Sequence, residues 1–304
     1  MACGILLKEL KLVEAVALVH AKDVESGKFE ITDQDITAGL PYKEKARMAF
    51  DHHAGAVPPP EDRLNLAVDT SAPSTARVIY NYFGKDKFPD IHEDVLDAVD
   101  KDFSAKITPD DILYPTGWTL LNYLIDQRTG LERQKRFRVS HDELMNHLMD
   151  RGGRSSVWEL LRLADVEERL DLYFSCFDDH KSQLMRCSSV FHNLVVTDTR
   201  AEILFYSGNK FVVYALFPEC NVSLDVSLSA DGGATVFAAG KSVLDRTFPL
   251  DIGRIMREYG GGGHSGAGAC RAESSKAPEI LQSLIKDMEC GFYENLYMGY
   301  FNYY

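Results

Sequence analysis

Two short strings in the sequence bring together groups that could do chemistry. The first, Asp51-His52-His53, joins a carboxylate to two imidazoles. Neutral imidazole is the commonest metal ligand in proteins, and a neighbouring carboxylate can fix its tautomer. Adjacent side chains on an extended chain point to opposite sides, so one histidine is predicted to hold a metal while the other meets a substrate. A single isolated histidine would instead be interpreted as structural.

The second string is a run of four glycines at 260–263 followed by His264. Glycines let backbone N–H groups approach a ligand without side chains in the way, as phosphate oxygens require, and His264 adds a donor. Lys241-Ser242 and Arg246-Thr247 precede the run, and an arginine can grip a phosphate with two parallel hydrogen bonds. A flexible linker is the alternative, but a linker would not place His264 between two turns of small residues. The run predicts phosphate binding.

The elements that must position these residues can be predicted from the apolar pattern. A predicted strand at 46–50 runs directly into Asp51, and a second follows at 64–68. Ser74 is expected to cap a helix that ends before Gly84. A helix at 3–10 and a strand at 13–20 precede them. This alternation predicts a parallel α/β sheet, whose strands carry ligand residues at their carboxyl ends.

The rest of the chain is predicted to change from helical to β-rich. Helices are expected at 90–99, 118–126 and 141–149, followed by one long helix over 155–186 that breaks near Asp178 and Asp179. Turn signals then separate predicted strands at 194–197, 202–207, 210–217, 221–228 and 234–240. Two more helices are expected, at 252–259 and 278–288. The aromatic tail is expected to pack against the body or a second subunit.

Charge and hydropathy limit the partners and the location. The net charge of −13 repels long polyanions, which excludes duplex DNA, whereas a small phosphorylated ligand needs only one basic pocket. Residues 128–138 hold a local excess of cations, although such runs are more often solvated surface. The longest apolar run, 211–217, is far shorter than the roughly 20 residues of a membrane span. The N-terminus lacks a secretory pattern, so a cytoplasmic protein without a membrane partner is expected.

The order of these motifs resembles the DHH phosphoesterase superfamily. The resemblance rests on Asp35, the Asp-His-His string, the segment 69–76 (DTSAPSTA), Asp100 and the distal glycine run with its histidine. It is closest to the exopolyphosphatase-related and nanoRNase-like branch. The resemblance implies an α/β fold in which a parallel-sheet DHH domain (1–150) is joined by a helical linker (151–189) to a smaller mixed α/β substrate-binding domain (190–290). An aromatic tail (291–304) follows.

The resemblance also implies roles for individual residues. Two manganese ions, or magnesium as an alternative, would activate hydroxide for attack on phosphorus. Taken alone, Asp35 and Asp100 would be turn or cap residues. Within the resemblance, the metal ligands are Asp35, which bridges the two ions, His52 and Asp100; Asp51 orients His52, and His53 contacts the reacting phosphate. The substrate-binding residues are Arg246, Gly261, Gly262, Gly263 and His264.

The implied activity is hydrolysis of a phosphoester bond in a short phosphorylated substrate, namely an oligonucleotide, a dinucleotide or a nucleoside bisphosphate. Polyphosphate is an alternative substrate, and a nucleotide-binding sensor without activity is an alternative function. A homodimer is compatible with the sequence. One feature departs from the family: the N-terminal Asp-x-Asp motif is missing. The sequence is therefore interpreted as truncated at its start, with a degenerate site as the alternative, and it is expected to hold at most one metal weakly and to show little hydrolysis.

Overall fold

The computed structural model describes residues 1–53, 64–103, 107–229 and 231–301, with side chains except at 102, 103 and 290–301. Short 3-10 turns lie at Lys85–Lys87 and Gln127–Thr129. The described helices are α1 (Ala2–Glu9), α2 (Ala21–Glu25), α3 (Thr75–Phe83), α4 (Glu93–Phe103), α5 (Pro109–Leu113), α6 (Gly117–Ile125), α7 (Leu131–Gln134), α8 (His141–Arg151), α9 (Val157–Leu161), α10 (Ala164–Cys187), α11 (Val212–Leu216), α12 (Ile252–Glu258) and α13 (Ala277–Phe301). The described strands are β1 (Ile36–Ala38), β2 (Met48–Asp51), β3 (Leu66–Val68), β4 (Ser188–Phe191), β5 (Leu194–Asp198), β6 (Val222–Leu228), β7 (Ala234–Lys241), β8 (Gly262–His264) and β9 (Ala267–Glu273).

The chain divides into two compact units. The first comprises 1–106, 116–125 and 137–170, and the second comprises 107–115, 126–136 and 171–304. The first unit holds a purely parallel sheet and the second a mixed sheet, so the predicted α/β fold class is confirmed. The predicted domain bounds, 1–150, 151–189, 190–290 and 291–304, stay a prediction.

In the first unit, three parallel strands form a sheet in the order β1-β2-β3. Phe50 of β2 is buried in one core with Leu6 of α1 and Ile79 of α3. Asp51 pairs with Val68 at the carboxyl end of the middle strand. Because ligand sites of parallel sheets lie outside the carboxyl ends of the strands, this position favours a functional role for Asp51.

Helix α3 follows the third strand and begins as its sequence predicts. The Ser74 hydroxyl accepts a hydrogen bond from the Arg77 N–H at 3.1 Å, which satisfies one of the unpaired donors of the first turn. Gly84 ends the helix with φ +86°, a conformation that favours glycine. The cap fixes the first residue of the helix, Thr75, beside the end of β2.

In the second unit, six strands follow the order β4-β5-β6-β7-β9-β8. Strands β5 and β6 are parallel and the other neighbours are antiparallel. Leu224 and Phe237 on one face share a core with Ile252 and Met256 of α12 and Leu284 of α13. Strand β8 is an edge of this sheet, and it contains the end of the glycine run.

Three predicted strands are absent from the described structure. Residues 13–20 and 202–207, all of them described, adopt neither helix nor strand, and 210–217 contains helix α11 instead. Short apolar runs do not distinguish a strand from a buried helix by periodicity alone. In α11, Val213 and Tyr214 are buried, and the Tyr214 hydroxyl bonds Ser223 and the Gly240 carbonyl oxygen, each at 2.8 Å. Tertiary packing therefore decides this element.

The predicted long helix is also corrected. Residues 155–186 form the short α9 and then α10, which continues without a break through Asp178 and Asp179. The interruption falls at Arg162 and Leu163, because Ser156 caps α9 with a capping box and α10 begins separately at Ala164. The final helix extends to Phe301, and the predicted packing of the aromatic tail lies outside the described side chains. Among the described helices, none has the length and apolarity needed to cross a bilayer.

Candidate active site

The site is built where the chain leaves β2. The Asp51 Oδ1 atom accepts hydrogen bonds from the backbone N–H of His52 at 2.7 Å and of His53 at 3.3 Å, which turns the chain sharply after the strand. The two imidazole rings consequently lie together, with centroids 4.2 Å apart. The prediction that they point to opposite sides of an extended chain is wrong, because the strand ends at Asp51.

Each imidazole is oriented by a different partner. The Nδ1 atom of His53 lies 2.6 Å from Asp51 Oδ1, whereas Nδ1 of His52 lies 3.9 Å from that oxygen and 2.7 Å from the Thr75 hydroxyl. Asp51 therefore orients His53 rather than His52, contrary to the role implied by the resemblance. Because Nδ1 of His53 is engaged by Asp51, Nε2 is the atom that the His53 ring offers to a ligand.

The donor set fits a metal ion. One ligand atom from each of Asp51, His52 and His53 lies within 4.8 Å of the other two. Burial and the neighbouring His53 lower the pKa of His52, against the opposing effects of Asp51 and Asp100. A lowered pKa keeps this imidazole neutral near pH 7, which is the form that binds a metal. Nitrogen and carboxylate donors together suit manganese and other divalent first-row metals.

Asp100 lies near this group but is engaged by α3. Its Oδ1 accepts from the Ser74 hydroxyl at 2.7 Å, and its Oδ2 accepts from Arg77 Nε at 2.6 Å. Arg77 also bonds Asp97 at 3.1 Å. In this arrangement Asp100 supports the beginning of α3, and through it Thr75. The structure does not bring Asp100 into the ligand cluster.

Asp35 lies at the other end of the sheet. It precedes β1, and its carbonyl oxygen accepts from the Arg47 N–H at 2.9 Å, before β2 begins. Its carboxylate accepts from the Thr32 hydroxyl and N–H, both at 2.7 Å. Asp51 lies four positions after Arg47 along the extended chain, which is about 13 Å. The structure therefore does not place Asp35 where a ligand bridging to His52 would have to be.

A cavity of about 440 Å³ adjoins the site. Asp51 and His53 line it, and its remaining walls come from α2, from strands β2 and β3 and from the segment that follows β1. This volume lies within the range of small-molecule sites. His53 is thus placed between the candidate metal and a space that can hold a ligand.

The glycines of the run 260–263, in the second unit, differ in their surroundings. A Cβ on Gly261 would lie 2.1 Å from the Ala269 carbonyl oxygen, and one on Gly263 would lie 2.2 Å from that of Ala267. These two glycines allow β8 and β9 to pack closely, a structural need that the sequence analysis did not separate from phosphate binding. A Cβ on Gly260 or on Gly262 would meet no described atom within 4 Å. Of these two, Gly262 belongs to the edge strand β8, where its backbone can approach a ligand.

The polar residues around this run are exposed. His264 ends the edge strand β8, and its Nδ1 accepts from the Gly266 N–H at 3.1 Å, which orients the ring. Arg246 forms no hydrogen bond or ion pair with the described part of the chain. Edge strands present unpaired backbone N–H groups. Together, these features can bind an anion, with edge-strand amides replacing the amides of a helix N-terminus.

The sequence does not identify two residues that support the site, Thr75 and Arg77. The sequence places Thr75 only within the segment 69–76, just after the predicted cap Ser74, and it gives no signal for Arg77 by itself. The signal for both was the capped start of α3 directly after a parallel strand, since that geometry places the first helical turn beside the neighbouring strand end. The contact between His52 and Thr75 joins residues 23 positions apart, which spacing alone does not predict.

Known structures include a similar protein. A pGpG-specific phosphodiesterase, PggH from Vibrio cholerae, is 40% identical to this chain, with a TM-score of 0.83 over 95% of each chain. An exopolyphosphatase-related protein from Bacteroides fragilis is 14% identical, with a TM-score of 0.39 over 79% of this chain and 63% of that one, which is too distant to carry an argument. No protein-family profile and no curated protein matches the chain.

The parallel sheet with tandem histidines at a strand end and the 40% identity define a class of hydrolases that act on phosphoester bonds. The chain belongs to the DHH phosphoesterase superfamily.

Proposed function

We propose that this protein hydrolyses the phosphodiester bond of a short guanine dinucleotide with the help of a divalent metal, for which manganese is our first candidate. The observation that carries the proposal is the placement of Asp51, His52 and His53, whose ligand atoms lie within 4.8 Å of one another beside a cavity of about 440 Å³. The specificity of the similar phosphodiesterase for pGpG supports this choice of substrate.

In this mechanism, Asp51 and His52 would bind the metal, and His53 would contact the phosphate. His52, oriented by Thr75, and Asp51 Oδ2 would hold the metal, which would lower the pKa of water and so supply hydroxide near neutral pH. His53, oriented by Asp51 through Nδ1, lines the cavity. Its Nε2 would be the ring atom that contacts a phosphate oxygen and stabilises the growing charge there.

We assign a phosphate-binding site of the second unit to Arg246, Gly262 and His264. An unpaired arginine, an unobstructed backbone and an oriented imidazole are suited to a phosphate group. The net charge of −13 favours a short substrate over polyphosphate, because a long polyanion meets the repulsion of the whole protein. Asp35 and Asp100 are left out of this assignment, because their carboxylates are bonded to Thr32 and to Ser74 and Arg77 respectively.

The test is hydrolysis of pGpG by the full chain with added Mn²⁺, followed by separation of the products. We expect GMP as the product, loss of turnover in His53→Ala, and weaker substrate binding in His264→Ala. Magnesium in place of manganese tests the choice of metal. Binding of pGpG without turnover at any metal concentration would overturn the proposal, as would equal turnover in His53→Ala.

A further inference from the structure

We propose that the cavity beside His53 takes the guanine base of the substrate and that Glu25 recognises it. The inference deepens the function proposed above and rests on it. It assigns a base-recognition role to a carboxylate at the end of α2, a helix that the chemistry of the metal site does not use.

The walls of the cavity suit a flat base. They are mainly apolar, from Leu40, Pro41 and Tyr42 after β1 and from Phe50 and Leu66 of the sheet. A sphere of 440 Å³ is about 9 Å across, so a purine with its ribose fits. Bases removed from a stack are held between apolar and aromatic side chains in this way.

One wall of the cavity is held in place by the sheet. Gly39 turns the chain after β1 with φ +65°, and its N–H donates to the Phe50 carbonyl oxygen at 2.9 Å. The Tyr42 hydroxyl donates to Asn65 Oδ1 at 3.0 Å, and Asn65 Nδ2 donates to the Ala46 carbonyl oxygen at 2.7 Å. The aromatic wall is thereby anchored to the strands, which prepares the cavity before a ligand arrives.

The charged groups that line the cavity determine the orientation of a bound nucleotide. Asp51 and His53 lie on the side of the candidate metal, and Glu25 is the remaining charged group of the lining. The Glu25 carboxylate forms no hydrogen bond or ion pair with the described residues. A second phosphate beside it would meet like charge, so the phosphate belongs at His53 and the base extends toward Glu25.

A carboxylate at that position discriminates between purines. The Watson–Crick edge of guanine presents two adjacent donors, N1–H and the N2 amino group, and both oxygens of one carboxylate can accept from them. Adenine presents an acceptor, N1, which would face the carboxylate with lone pair against lone pair. Paired contacts of this kind discriminate against the wrong base by about ten- to a hundredfold.

The experiment compares Glu25→Gln with the matched control Glu14→Gln, which changes an exposed carboxylate that does not line the cavity. The kcat/KM values for pGpG and pApA are measured for the wild type and both variants. We expect Glu25→Gln to lower the preference for pGpG by about ten- to a hundredfold through KM, and Glu14→Gln to leave it unchanged. An unchanged preference in Glu25→Gln, or no preference in the wild type, overturns the inference.

A binding measurement separates this inference from the proposed function. If the wild type hydrolyses no dinucleotide, the proposed function fails, and the Kd values of GMP and AMP then decide the role of Glu25 alone. Ala21→Trp fills the cavity from α2 and is expected to weaken binding of both nucleotides at least tenfold, while Mn²⁺ binding and the melting temperature stay unchanged. Wild-type affinity for GMP in this variant places the base elsewhere and overturns the inference.

Discussion

The contact between Thr75 and His52 offers a sharp test of the candidate metal site. Thr75→Val keeps the shape of the side chain and removes the hydroxyl that lies 2.7 Å from His52 Nδ1. Loss of such a partner weakens metal binding by 10- to 100-fold, or about 1.4 to 2.7 kcal/mol. The unfolding free energy falls as well, by about 1 kcal/mol, because a partly buried ring nitrogen loses its hydrogen bond.

The neighbouring strand provides the control. Thr37 of β1 is 4% exposed, and its hydroxyl has no hydrogen-bond partner among the described residues. Thr37→Val therefore removes an unpaired buried hydroxyl at constant shape, and we expect it to be neutral or slightly stabilising. It changes the same atom type in the same unit without touching His52.

The assay is calorimetric titration of the metal-free protein with Mn²⁺ at neutral pH, with thermal unfolding followed by circular dichroism. Only Thr75→Val should shift the Mn²⁺ affinity. Equal affinity in Thr75→Val and the wild type would refute the assignment of Thr75 as the partner of His52. A similar loss in Thr37→Val would attribute the effect to general loosening of the unit.

Three further predictions concern stability and the glycine run. Ser74→Ala removes the cap of α3 and a bond to Asp100, so urea unfolding should show a loss of about 1 to 2 kcal/mol. Lys210→Met should raise the melting temperature at pH 7. Lys210 is an exposed residue, but partial burial of its ammonium and the charge of Arg128, opposed by Asp126, lower its pKa from 10.5 to about 8, so the folded wild type carries a disfavoured charge below pH 8. Wild-type stability then rises with pH between 8 and 10.5, and the advantage of the variant should vanish over that range, as melting at pH 7 and pH 10 will reveal. Gly261→Ala should destabilise by about 1 to 3 kcal/mol because its Cβ meets a carbonyl oxygen at 2.1 Å, whereas Gly262→Ala should fold normally and bind nucleotide more weakly. Chemical unfolding and nucleotide titration of the pair would contradict this if both variants behaved alike.

The sequence predicts the middle of the first unit well because its signals are local. The strand that leads into Asp51 and the cap at Ser74 depend on residues within one turn or one strand, and both are confirmed. The strand at 210–217 fails because the burial of Val213 and Tyr214 against distant residues decides that segment. Apolar composition alone carries no information about those partners.

In the candidate site, too, the sequence predicts local features but not those that depend on distant contacts. The Asp-His-His string is visible in the sequence, but the turn that brings both rings together depends on hydrogen bonds to Asp51 Oδ1, and the partner of His52 comes from α3. The glycine run is visible too, yet the sequence cannot separate Gly261, which packs against β9, from Gly262, which faces open space. That distinction requires the register of β8 and β9.

The two carboxylate oxygens of Asp51 differ in their hydrogen bonding. All three hydrogen bonds that it accepts from the described residues converge on Oδ1, which shapes the turn and aims His53. An asparagine that keeps its carbonyl oxygen at that position would preserve the turn and the adjoining cavity, while an uncharged amide nitrogen would replace Oδ2, the oxygen that we propose as a metal ligand. A single nucleotide change in the codon is enough for that substitution. An enzyme of this architecture is therefore one mutational step from a protein that retains its nucleotide but no longer cleaves it.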